Sequence, residues 1–118
     1  GSIVIFDKIS TEENITRGYN DTMKIFGHLD GEDYYFKKKS TFYYRRLNHK
    51  VDDRLYKAAQ SLLKSTDYKE TTIKALEHIL KKNKKSDLLK YKTKDVIKLA
   101  DKNSENIIEK YVSNLSLW

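Results

Sequence analysis

Apolar positions recur at helical spacing through the C-terminal two thirds of the chain. From residue 51, Leu55, Ala58, Ala59, Leu62 and Leu63 share one face of a helix expected to end near Lys64. Asp67 followed by Glu70 has the form of a capping box, and Ile73, Leu76, Ile79 and Leu80 then make a buried stripe. Lys81, Lys82, Lys84 and Lys85 close that helix with the sign its macrodipole favours. Ser86 is placed to cap a short turn through Leu88, Leu89 and Tyr91. Thr93 is placed to cap a further helix with Val96, Ile97, Leu99 and Ala100 inward. Ser104 does the same for a last helix carrying Ile107, Ile108, Tyr111, Val112 and Leu115 on one face. The pattern predicts a mainly α fold, four to five short helices in a compact bundle.

The first 50 residues are less uniform. Ser10 with Glu13 forms another capping box, and Ile15, Tyr19, Met23 and Phe26 share a helical face weakened by Gly18. Asp30-Gly31 is a favoured two-residue turn, so residues 23–29 and 32–38 also read as a hairpin, with residues 3–6 as a third strand. We expect a helix followed by a small β-hairpin or extended element that leans on the helical remainder.

Residues 34–50, YYFKKKSTFYYRRLNHK, hold six aromatics, six fixed cations and no acid. Aromatic planes beside Lys and Arg can stack bases and neutralise phosphates. On this reading Lys37, Lys38, Lys39, Tyr43, Tyr44, Arg45, Arg46 and Lys50 form a nucleic-acid surface, aided by Lys81, Lys82, Lys84 and Lys85. The competing reading places Phe36, Phe42, Tyr43 and Leu47 in the core, leaving Tyr hydroxyls and cations on a solvated rim. Neighbours such as Tyr34 and Tyr35, or Phe42 and Tyr43, face opposite ways on a strand, so about half of the six aromatics are expected to be buried.

Length adds that 118 residues make one domain with one core. We divide it into residues 1–2, whose Gly-Ser resembles a tag remnant on a piece of a longer protein, and a single domain over 3–118, split between the N-terminal element (3–50) and the bundle (51–118). The absence of cysteine excludes disulfides and Cys-based zinc, and fits an intracellular protein. No run of 18 apolar residues is present, so no membrane partner is expected. The net charge of +7 is unevenly spread: residues 1–36 carry three cations and seven acids, residues 37–118 carry 21 cations and ten acids. That polarity favours an acidic partner for the second part.

Catalytic and metal chemistry finds no pattern. His28, His49 and His78 are scattered, the Asp30-Gly31-Glu32-Asp33 cluster lacks the alternation of a calcium loop and reads as a solvated acidic turn, and no phosphate loop or nucleophile elbow occurs. We expect no enzyme, no cofactor and no metal.

Residues 52–118 resemble the superfamily of the TFIIS N-terminal domain, and within it the integrase-binding domain of LEDGF-type chromatin proteins. The resemblance is carried by residues 54–64, by TIKALEHIL (72–80), by KTKDVIKLADK (92–102) and by SENIIEK (104–110), in that order. It implies a helical bundle that binds short disordered peptide motifs of transcription and chromatin partners, in a nuclear setting. It also implies a peptide site on two interhelical loops at one end, corresponding to Ser65, Thr66, Asp67 and to Lys102, Asn103. Asp67 would accept backbone hydrogen bonds from the peptide, or serve as the N-cap of its own helix.

Overall fold

The computed structural model describes residues 8–117, with side chains from residue 15 onward. Residues 1–2, the expected strand at 3–6, the side chains of Ser10 and Glu13, and Trp118 lie outside what is described.

Helix α1 (Lys8–Ile25) stops at Gly27, whose φ of 77° suits glycine and lets the amides of Gly27 and His28 turn back to the carbonyls of Lys24 and Met23. Residues 23–25 are therefore helical, not strand. The expected shared face of α1 is not buried: Ile15, Tyr19 and Phe26 are exposed, Met23 is half-buried, and the buried residue is Asn20, whose amide donates to the Leu88 carbonyl. The helix is pinned by Arg17 to Asp87 and by the Tyr35 hydroxyl to Asp21.

Strands β1 (Leu29–Asp30) and β2 (Tyr35–Lys37) pair antiparallel, as the hairpin reading foresaw, but are joined by residues 31–34 and not by a two-residue turn. Gly31 has φ 113°, and a Cβ there would collide with the Tyr34 carbonyl. The connection closes on a buried carboxylate: the amides of Glu32, Asp33 and Tyr34 all donate to Glu77 Oε2 at 2.7–2.9 Å. A third strand, β3 (Lys90–Tyr91), lies parallel to β2 where only a turn is legible in the sequence, although Ser86 does accept from the Leu88 amide at its start.

Residues 41–47, offered as strand or core, form helix α2 (Thr41–Leu47), because Ser40 caps it through the Tyr43 amide. Helix α3 (Asp53–Leu63) is capped by Asp52 and ends at Lys64, which adopts a left-handed conformation. Its face is turned so that Ala59 is buried and Leu62, expected inside, is exposed.

Helix α4 (Tyr68–Lys82) is the central element. The expected stripe of Ile73, Leu76, Ile79 and Leu80 is buried, and so are Thr71, Thr72, Ala75 and Glu77, because α2, α3, α5 (Thr93–Ile97) and α6 (Ile107–Ser113) all pack around it. Its polar residues are satisfied inside: Asn48 donates to Thr72 Oγ1 and to the Tyr44 carbonyl, and accepts from the Tyr111 hydroxyl.

The caps of the last two helices differ from expectation. Helix α5 has no side-chain cap, for Thr93 is its first residue and points inward to Tyr43. Helix α6 is capped by Asn106, while Ser104 accepts from the Asn106 amide one turn earlier. The described residues thus form six helices and a three-stranded sheet around one apolar cluster, the mainly helical bundle with a small strand element that the pattern predicts.

Candidate binding groove

The parallel register of β2 and β3 sets Tyr35 against Lys90 and Phe36 against Tyr91. Lys37 ends β2, and Lys92 follows β3 directly. Beyond Lys37 the chain is steered by the Lys39 amide, which donates to Asp30 Oδ2 at 3.1 Å, and then enters α2. In the first turn of that helix the Tyr43 hydroxyl meets Thr93 Oγ1 at 2.6 Å, joining α2 to α5. The result is a cleft of about 290 Å³ lined by Lys37, Lys39, Tyr43, Lys92, Thr93, Lys94 and Leu117. Four lysines and no acidic residue line it. The Lys39 ammonium lies 5.2 Å from the centre of the Tyr43 ring.

A second cleft of about 320 Å³ adjoins it at Lys94 and Leu117, and adds Leu47, Ile97, Leu115 and Lys98. The C-terminal segment forms its wall, held to α2 by the Ser116 amide on the Leu47 carbonyl (3.0 Å) and by Arg46 Nε on the Leu117 carbonyl (3.3 Å). Together the clefts make a groove that is cationic at one end and apolar at the other. None of Lys37, Lys39, Lys92, Lys94 and Lys98 takes part in an ion pair among the described residues.

Four other lysines are matched to acids. Lys69 binds Asp30 at 2.9 Å, Lys74 lies 3.7 Å from Glu70, Lys81 pairs with Asp33, and Lys82 binds Glu109 at 2.6 Å. The expectation of a solvated acidic turn at 30–33 therefore fails for Asp30, which is buried and takes Lys69, the Lys39 amide and the Tyr44 hydroxyl. Lys82 holds the Glu109 carboxyl below the usual carboxylate range, whereas burial raises that of Glu77 against the pull of its three backbone donors. Among the described residues no group of three His, Asp or Glu is placed to hold a metal.

The sequence-derived sites are redistributed. Tyr44 is fully buried with its hydroxyl on Asp30, so it offers no plane for stacking. Tyr43 is half-buried, with its hydroxyl engaged and Lys39 over its ring. Of the six aromatics at 34–44, Tyr34, Tyr35, Phe36 and Tyr44 are inside, and Phe42, expected in the core, is 68% exposed. Lys37, Lys38, Lys39, Arg45, Arg46 and Lys50 are exposed, as are Lys84 and Lys85 beyond the end of α4. Lys81 and Lys82 are exposed too, but paired.

The two loops of the expected peptide site are not brought together. Ser65 is buried against Thr71, the Thr66 amide donates to Glu70, and Asp67 caps α4 by accepting from the Glu70 amide at 2.8 Å, which completes its N-cap reading. Those residues lie at the start of α4. Lys102 and Asn103 are exposed in the loop before α6, and Glu109 in the first turn of α6 reaches Lys82 at the other end of α4. The helix between them is about 22 Å long. Lys92 and Lys94, which complete the cationic cleft, were legible only as part of a basic stretch; their partner lysines are some 55 residues away in sequence, about as far as any local motif is blind to.

No family model, curated protein or solved structure matches this chain. No described helix is long and apolar enough to cross a membrane.

Proposed function

We propose that this domain is a non-catalytic interaction module that holds a short acidic peptide carrying an apolar anchor. The observation that carries this reading is the groove in which Lys37, Lys39, Lys92 and Lys94 lead directly into the trough of Leu47, Ile97, Leu115 and Leu117. Carboxylates of the ligand would neutralise the first part, and a Leu- or Ile-sized side chain would fill the second. A disordered ligand loses chain entropy on docking, so affinity falls in the micromolar range. The resemblance of residues 52–118 to the TFIIS N-terminal superfamily points to ligands of the same kind, from transcription or chromatin factors, but we assign their seat to the groove and not to the loops at Asp67 and Asn103. Direct nucleic-acid binding is the weaker reading, since of the two tyrosines expected to stack Tyr44 is buried and Tyr43 is half-buried with its hydroxyl on Thr93.

Fluorescence anisotropy with a labelled peptide in which Asp and Glu flank two Leu tests the assignment. Charge reversal by Lys92→Glu with Lys94→Glu is expected to weaken binding about ten-fold or more. Asp67→Ala and Lys84→Glu with Lys85→Glu are expected to leave it within about two-fold, since all lie outside the groove. Equal losses in all three variants would overturn the groove.

A further inference from the structure

Resting on the peptide-binding reading, we propose that the group seated among Lys37, Lys39, Lys92 and Lys94 is a phosphate monoester, carried by a phosphorylated Ser or Thr of the partner peptide. Like charges gathered round one cleft repel one another, and Lys37, Lys39, Lys92 and Lys94 line this one with no acid to relieve them. The same fold supplies a carboxylate to Lys69, Lys74, Lys81 and Lys82. Four lysines gathered round one cleft with no acidic residue among its lining fit a ligand of high charge density. One carboxylate brings a single charge, and its flat fork is matched by arginine. No arginine lines the cleft, and the nearby Arg46 is turned to the Leu117 carbonyl. A phosphate monoester brings between one and two charges at neutral pH and three acceptor oxygens, which suit several point-like ammonium donors.

Hydroxyl accounting adds a donor. Tyr43 and Thr93 own two hydroxyl protons and share one hydrogen bond, so one proton remains to donate, and both side chains line the cleft. The apolar trough past Lys94 and Leu117 then takes a residue a few positions along the same peptide, which distinguishes a phosphopeptide from an extended polyphosphate backbone that has no apolar side chain to place there.

Three peptides identical except for phosphoserine, Ser or Glu at one position, each followed by two Leu, provide the probe, read by anisotropy and by amide chemical shifts of the full chain. The phosphopeptide is expected to bind about ten-fold tighter than either counterpart at about 150 mM salt. Its shifts should centre on Lys39, Tyr43, Lys92, Thr93 and Lys94. Binding should strengthen from about pH 5 to 7 as the phosphate loses its second proton. Lys92→Gln with Lys94→Gln, a milder change than reversal, should abolish the preference while leaving the circular dichroism spectrum unchanged. Equal binding of the Glu and phosphoserine peptides would overturn the phosphate assignment and leave the acidic-peptide reading standing. Loss of all three peptides would remove both. Displacement of the phosphopeptide by single-stranded RNA at equal or lower concentration would reassign the cleft to nucleic acid.

Discussion

Glu77 shows how far one residue's role can depart from its local pattern. By sequence it is one charged position in TIKALEHIL; in the fold it is buried and its Oε2 collects the amides of Glu32, Asp33 and Tyr34. Glu77→Ala leaves those amides without their acceptor, the Tyr34 one in a buried site, and is expected to cost about 2–4 kcal/mol in urea unfolding. Its pH signature follows from burial, which raises the carboxyl above its ordinary value. Between the ordinary and the raised value the folded chain keeps a proton that the unfolded chain has released, so this group's contribution falls as pH rises through that window and is level above it. Glu77→Gln, followed through the same window, should lack that slope; an identical slope in both proteins would contradict the assignment. No spacing rule identifies Glu77, because its three donors lie more than 40 residues away. Asp67 is the opposite case, since an N-cap is read from its immediate neighbours and its bond to the Glu70 amide is the one its position predicts.

Elements divide along the same line. Helices α3 and α4 were legible because each is long enough to show its period, and α4 also carries a readable cap in Asp67, whereas α2 has seven residues and is crowded with aromatics that suit a strand equally well. The seam between α4 and α6 depends on Glu109, whose side chain is 2% exposed and meets Lys82 at 2.6 Å. Here the native carboxyl value is lowered, chiefly by that bond, so its stabilisation is present above the ordinary carboxylate range and is lost as pH falls through it. Lys82→Ala is expected to cost about 1 kcal/mol at neutral pH, the modest figure reflecting a half-exposed lysine. The cost should shrink as pH falls below the lowered folded value, where Glu109 is protonated in both states; paired thermal melts at about pH 7 and along a descending acid series check the difference.

At the scale of the whole molecule, the distribution of charge governs encounter with a partner. Residues 1–36 carry three cations against seven acids, and residues 37–118 carry 21 against ten. The groove opens on the positive part, so its cations should steer an acidic peptide while the trough of Ile97, Leu115 and Leu117 retains it. Raising salt from about 50 to 300 mM is therefore expected to slow association about ten-fold and change dissociation little, whereas Ile97→Ala should speed dissociation; stopped-flow measurements separate the two. The sequence by itself determined the helical class, the central helix with its cap and the excess of positive charge, because each is written in neighbouring residues or in totals. The tertiary structure alone decided which aromatics were inside, which lysines were matched to acids and which came to line a cleft without one. Pairing of β2 with β3 and docking of α2 on α5 bring together groups some 50 residues apart, and only that juxtaposition turns a basic composition into a groove.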